Sequence, residues 1–95
     1  MSNWHNESTD ALCKALLTLK SVDECYAFLE DACTINEILD ISQRLAVAKL
    51  LSSGASYTVI SKETGASTAT ISRVSKCCEY GSGGYKTVID RCKED

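Results

Sequence analysis

Residues 57–76 constrain the fold of this chain most, because they predict two short helices joined by a tight turn. Ile60 is expected on the inner face of the first helix, with the small Ser61 beside it where the two helices must approach closely. Gly65 can adopt the left-handed backbone conformation that ends a helix without a Cβ clash. Ser67 can then cap the second helix through its hydroxyl. This spacing is that of a helix-turn-helix.

The motif, placed at about residues 56–80, has an inner and an outer face. Ile71 and Val74 are three residues apart and are expected to face inward. The outer face of the second helix would then be free to enter a DNA groove, and the start of the first helix could hold phosphate through its unpaired backbone N–H groups. The candidate DNA-contacting residues are Ser56, Tyr57, Thr58, Ser67, Thr68, Ala69, Thr70, Ser72, Arg73 and Lys76.

Several of these candidates have a second interpretation. Turns of this kind also occur in plain helical domains, and helix capping would explain Ser56 and Ser67 equally well. Arg73 could reach a phosphate or a guanine, or it could pair in solvent with a carboxylate such as Glu79. The hydroxyl-rich set as a whole suits water-mediated or methyl-group readout better than long-reach hydrogen bonds.

The rest of the chain is predicted to be helical, because it contains no proline and shows helical spacing of apolar residues throughout. Residues 1–8 would be a flexible N-terminal tail, and residues 9–95 a single helical domain. A first helix is expected over about residues 9–19, with Ser8 or Thr9 as its cap.

Two capping boxes and two glycine-containing breaks predict the other helix boundaries. The boxes at residues 21–24 and 34–37 would open the second and third helices through a reciprocal pair of hydrogen bonds. The third helix would run through Leu51 and end at Gly54. After the glycine-rich break at 81–84, a last short helix is expected over about residues 85–93.

The long third helix is apolar on more than one face. Ile38, Ile41, Leu45 and Ala48 form one stripe, while Ile35 and Leu39 are among the apolar residues on its other sides. A helix of this kind needs more apolar contacts than one small chain provides. The pattern therefore favours a dimer with interleaved helices.

Charge is unevenly distributed along the 95 residues, whose formal net charge is -3. Residues 1–54 carry four basic and eight acidic side chains, whereas residues 55–86 carry four basic and two acidic ones. The net charge thus changes from negative to positive at the predicted helix-turn-helix. The basic patch is nevertheless thin, so nonspecific DNA affinity should be low and sensitive to salt.

Other classes of protein find little support in the sequence. The six cysteines have no C-x-x-C spacing, and the single histidine, His5, lies in the tail, so neither a disulfide framework nor a metal site is expected. Cys77 and Cys78 are expected to be one packed and one half-exposed thiol. There is no apolar run long enough to span a membrane and no secretory signal, which predicts a cytoplasmic protein. The sequence shows neither a base paired with a nucleophile nor a phosphate-binding loop, so an enzyme is not expected.

The order and spacing of three segments resemble the Trp repressor family, in particular its YerC/YecD-type branch. The segments are residues 34–38, 43–49 and 65–73, and the similarity extends over about residues 9–93. The resemblance implies a six-helix fold and an intertwined homodimer. Its two helix-turn-helix motifs, the reading heads of the dimer, would bind half-sites about one DNA turn apart.

The resemblance also implies positions for an effector. Trp repressor holds tryptophan between two arginines near a threonine and a serine, and the matching residues here are Arg44, Arg73, Thr34 and Cys77. However, Val74 stands where Trp repressor has a glycine and is expected to crowd a flat indole. A smaller ligand, or none, is therefore expected in place of tryptophan, and Arg44 could instead pack its stem and pair with an acidic side chain.

Two functions follow from these observations. The first is a homodimeric transcriptional regulator, a repressor by resemblance, that binds double-stranded DNA and responds to a small ligand other than tryptophan. The alternative is a helical dimeric protein-interaction module that retains the helix-turn-helix as scaffold. Two observations keep this alternative open. Thr58 and Ser61 are neutral where Trp repressor has basic residues, and the first half of the chain is acidic.

Overall fold

The structure, a computed structural model that describes residues 3–93, contains six α-helices and no strand within those residues. The predicted all-α class and the predicted number of helices are confirmed. The helices are α1 (Glu7–Leu16), α2 (Val22–Ala32), α3 (Ile35–Ser52), α4 (Tyr57–Thr64), α5 (Thr68–Tyr80) and α6 (Gly84–Cys92).

Helix α1 begins and ends earlier than the sequence predicted. Its N-cap is Asn6, whose Oδ1 accepts a hydrogen bond from the backbone N–H of Thr9 at 3.0 Å. Thr9 Oγ1 in turn accepts from the Asn6 N–H at 2.9 Å, so Thr9 is a partner of the cap and not the cap itself. Asparagine caps at least as well as serine or threonine, which explains the earlier start. Part of the predicted tail therefore belongs to this helix, while residues 1 and 2 lie outside the described residues.

The cap of α2 forms only half of the predicted box. Ser21 Oγ accepts from the N–H of Glu24 at 3.1 Å, as expected. The Glu24 carboxylate, however, accepts from the backbone N–H of Lys20 at 2.8 Å, one residue before the cap. The glutamate therefore satisfies the donor that precedes the helix.

Helix α3 ends in a Schellman motif at Gly54, the residue that was predicted to end it. Gly54 has φ 86°, and its N–H donates to the Leu51 carbonyl at 3.1 Å. The N–H of Ala55 donates to the Leu50 carbonyl at 3.0 Å, which is the second bond of the motif. These bonds satisfy the carbonyls that the helix end leaves open.

The chain divides into two compact units, one ending at Ile35 and the other beginning at Asn36. In the first unit, neither α1 nor α2 contains a buried residue. The second unit contains the hydrophobic core, whose buried members come from α3, the helix-turn-helix and α6. They are Val47, Ala48, Ile60, Ala66, Ile71, Val74 and Ile89.

Only part of the apolar surface of α3 packs in this core. Val47 and Ala48 are fully buried, but Ile41 remains half exposed. Ile35 is 74% exposed and Leu39 60% exposed. Apolar residues near the start of α3 therefore stay uncovered in the single chain, whereas those near its end pack in the core.

Most of the cysteines lie at the surface. All six are free thiols, and only Cys33 is half-buried. The prediction that one of Cys77 and Cys78 is packed is wrong, since both are exposed. Partial burial of Cys78, which is exposed as a whole residue, together with the neighbouring Cys77 and Glu79 nevertheless raises the pKa of its thiol.

Candidate nucleic-acid interface

Helices α4 and α5 pack against each other along a dry seam. Ile60 of α4 and Ile71 of α5 are both fully buried, and Val74, one turn further on, is 1% exposed. Burying each of these aliphatic side chains stabilises the fold by about 1.5–3 kcal/mol. The inner faces predicted from the sequence are thus confirmed, and they fix the orientation of α5.

The turn between the two helices is held by side-chain hydrogen bonds as well as by its glycine. Gly65 adopts φ 75°, and its N–H donates to the Ser61 carbonyl at 2.9 Å. Thr64 Oγ1 donates to the Ile60 carbonyl at 2.7 Å and accepts from the Ala66 N–H at 3.2 Å. The turn therefore has little freedom to vary the angle between α4 and α5.

Helix α3 also supports the turn. The Gln43 side chain donates from Nε2 to the carbonyl oxygen of Thr64 at 3.1 Å, across 21 residues of sequence. Both groups are partly buried, so the bond is shielded from competing water. The sequence marks Gln43 only as the first residue of the family segment 43–49. Its structural role depends on a long-range contact that spacing alone does not reveal.

The capping interpretation of Ser56 and Ser67 holds in the structure. Ser56 Oγ accepts from the Val59 N–H at 3.3 Å, and Ser67 Oγ accepts from the Thr70 N–H at 3.2 Å. Ser67 Oγ also donates to Thr70 Oγ1 at 3.1 Å. The one proton of the Ser67 hydroxyl is therefore already engaged within the protein.

Most of the candidate DNA-contacting residues lie at the surface of the motif. Thr70 and Ser72 are half-buried, and the others are exposed. Arg73 makes no ion pair with Glu79 in the part of the chain that the structure describes. Its guanidinium is thus accessible on α5, as contact with DNA or with a ligand would require.

A cleft of about 400 Å³ opens on the outer side of the motif. It joins the first helix to the start of the second, because Thr68 of α5 contributes to its wall. The α4 residues that line it are Tyr57, Thr58, Ser61 and Lys62. Lys62 was not among the predicted contacts, although its spacing of four residues from Thr58 places both on one face of α4.

The four predicted effector residues are distributed over both units. Thr34 belongs to the first unit, whereas Arg44, Arg73 and Cys77 belong to the second. Arg44 is half-buried, and Arg73 and Cys77 are exposed.

Val74 and Cys77 occupy different surroundings. Val74 lies in the hydrophobic core, so its side chain does not share the exposed surface of Arg73 and Cys77. Cys77 lines a largely apolar cleft of about 560 Å³, together with Ile41 and Leu45 of α3, and neither arginine lines it. The expected crowding of an indole by Val74 stays a prediction.

The described residues contain neither a metal-binding cluster nor a membrane-spanning helix. Within residues 3–93, no cluster of three or more histidine, cysteine or acidic side chains could hold a metal ion. No helix in that range is long and apolar enough to cross a membrane.

The fold and the turn define an all-helical protein built around a helix-turn-helix. Residues 7–93 match the model of the family described as Trp repressor protein, and the chain belongs to this family. The predicted resemblance is thereby confirmed over nearly the whole chain.

Individual relatives agree with this assignment. The chain is 53% identical over 85 residues to the Uncharacterized protein YerC of Bacillus subtilis (strain 168), which covers 90% of this chain and 82% of YerC. A crystal structure of a candidate Trp repressor from Staphylococcus aureus superposes with a TM-score of 0.91 at 45% identity, covering 96% of this chain and 91% of that one. A TrpR-like protein from Eubacterium eligens ATCC 27750 gives a TM-score of 0.90 at 50% identity, with coverages of 93% and 91%.

Proposed function

We propose that this protein is a homodimeric transcriptional repressor that binds specific DNA sequences through its helix-turn-helix. The observation that carries the proposal is the rigidly held α5, whose outer face presents Thr68, Ala69 and Arg73 to solvent. Membership of the Trp repressor family supports the same function. A DNA-binding regulator of this kind would act in the cytoplasm.

Base recognition is assigned to the outer face of α5. The small side chains of Thr68 and Ala69 permit close approach to base edges and contact with thymine methyl groups, while Arg73 has the reach for guanine or phosphate. Lys76, two residues from the dry seam at Val74, adds a second cation on this helix. Ser56 and Ser67 act mainly as caps, because their oxygens already accept backbone N–H groups.

A homodimer is part of the proposal because much apolar surface is left open in the single chain. Ile35 and Leu39 on α3, and Leu17 and Val22 in the first unit, are all well exposed. Covering these side chains with a second copy would remove them from water and set two reading heads about one DNA turn apart, roughly 34 Å.

A small effector other than tryptophan is proposed for the region of Cys77. A thiol is a weaker donor and a weaker acceptor than the serine hydroxyl that Trp repressor has at the matching position, so tryptophan would gain less from a polar contact there. Isothermal calorimetry with L-tryptophan tests this point. Micromolar binding would contradict it, and the absence of heat at millimolar tryptophan is the expected result.

The alternative, a protein-interaction module, is favoured by one observation, the acidic first half of the chain with its exposed apolar residues. Selection from random duplexes, followed by a salt series on the enriched sequence, separates the two functions. A regulator gives a sequence-dependent footprint that is weakened in Arg73→Ala and Thr68→Ala. Weak binding without sequence preference, present only at low salt, would reject the regulator and leave the interaction module.

A further inference from the structure

The cleft between α4 and the start of α5 has the chemistry of an anion site. Lys62 is the one basic residue among those that line it, and no acidic residue does. Glu63 follows Lys62 in sequence but is not part of the wall. A cleft that offers a positive charge and hydrogen-bond donors favours an anion over a neutral or cationic ligand.

The hydroxyls of the cleft differ in whether they can donate a hydrogen bond to a ligand. Ser61 Oγ donates its proton to the Ala66 carbonyl at 2.9 Å, so it is not available as a donor to a ligand. The hydroxyls of Tyr57, Thr58 and Thr68 make no hydrogen bond within the described residues and are free to donate. Three residues with free hydroxyls, from two helices, therefore line the same cleft as Lys62.

We propose that this cleft holds one phosphate of the DNA backbone, with Lys62 supplying the charge and Tyr57, Thr58 and Thr68 the hydrogen bonds. The proposal rests on the proposed function, since it requires that the motif lies on DNA. It explains how α4 contacts the backbone although Thr58 and Ser61 are uncharged. Because the wall includes Thr68, the phosphate would also fix the position of α5 along the groove.

Phosphate replacement in DNA tests the contact directly. The probe is the duplex enriched by selection, synthesised as a set in which one phosphate at a time is a neutral methylphosphonate. The affinity of the wild type is expected to fall when the phosphate that occupies the cleft, one in each half-site, is replaced. For Lys62→Gln, replacement of that phosphate should no longer lower the affinity, whereas replacement of the other contacted phosphates should lower it as in the wild type. If Lys62→Gln keeps every penalty of the wild type, the inference is wrong and DNA binding stands. If the wild type binds no duplex, both proposals fail.

The salt dependence of binding gives a second readout with a matched control. Removing one phosphate contact lowers the slope of log K against log salt by about one per protomer. Lys62→Gln should show this change equally on selected and random duplexes, with an unchanged melting temperature. Lys49→Gln removes the same charge from α3, outside the cleft, and should keep the wild-type slope. An equal loss in both variants would indicate a general charge effect and overturn the assignment.

Free phosphate has the same chemistry as a backbone phosphate and is the other source of a ligand for this cleft. Titration of the wild type with sodium phosphate at constant ionic strength distinguishes the two sources. The DNA-backbone assignment predicts no saturable binding at physiological phosphate concentrations. Saturable binding that Lys62→Gln abolishes, without any change in the methylphosphonate pattern, would overturn it in favour of a free-phosphate site.

Discussion

The Ser61 hydroxyl donates a hydrogen bond of 2.9 Å to the carbonyl oxygen of Ala66, across the turn of the helix-turn-helix. This bond ties the last turn of α4 to the residue just before the cap of α5. Ala66 is 2% exposed, so its carbonyl has little access to water as an alternative partner. Ser61 was predicted to lie where the two helices approach because it is small, and it also makes a specific polar contact.

Replacing this serine should destabilise the fold. Ser61→Ala leaves the Ala66 carbonyl without its side-chain donor, and an unsatisfied buried acceptor costs about 1–3 kcal/mol. The free energy of unfolding, measured by urea titration, is expected to fall by an amount in this range. Thr58→Ala, an exposed change on the same helix, should stay within about 0.5 kcal/mol of the wild type. Equal effects of the two changes would mean that the bond contributes nothing.

Two glycines should respond in opposite directions to alanine. Gly65 has φ 75°, and a Cβ there would meet only Gln43 Nε2, at 4.0 Å. The cost of Gly65→Ala is therefore conformational rather than steric, about 1–2 kcal/mol. Gly84 has open space around it and lies within α6, so Gly84→Ala should stabilise by about 0.4–1 kcal/mol. Thermal melting of both variants checks the pair, and a stabilised Gly65→Ala protein would contradict the argument.

The features that sequence predicted well are those governed by local chemistry. Gly65 and Ser67 each act within a few residues of chain, and the structure places both as expected. The start of α1 was missed because Asn6, Ser8 and Thr9 are all competent caps, and propensity alone does not rank neighbours that close.

Features that depend on contacts distant in sequence were not predictable. The bond from Gln43 to the Thr64 carbonyl spans 21 residues, and no local pattern signals it. Lys62 lines a cleft whose wall also includes Thr68 of the next helix, and no local pattern signals this. Val74 was assigned both to the core and to a ligand pocket, and only its 1% exposure shows that the core holds it.

The ion pair of α6 predicts a measurable pKa change. Lys86 Nζ lies 2.7 Å from Asp90 Oδ2, and this hydrogen bond lowers the pKa of the Asp90 carboxyl. Removing both the donor and its charge in Lys86→Met should raise the Asp90 pKa, as followed by carbon-detected NMR titration. Because the folded pKa lies below the unfolded one, any stability from the pair is present above the unfolded pKa and is lost as pH falls through the folded pKa. An unchanged Asp90 pKa in the variant would show that the pair does not persist in solution.

The uncovered face of α3 predicts the oligomeric state. The protein should sediment at micromolar concentration with about twice its chain mass of 10.3 kDa. Leu39 is 60% exposed in the single chain, and burial of a leucine at an interface stabilises association by roughly 1.5–3 kcal/mol. Leu39→Glu should therefore weaken dimerisation by about tenfold or more. Lys49→Gln introduces the same change in charge on the same helix and should leave the sedimentation profile unaltered. A wild-type protein that sediments as a 10.3 kDa monomer would contradict the homodimer, and with it the two-headed arrangement proposed for DNA.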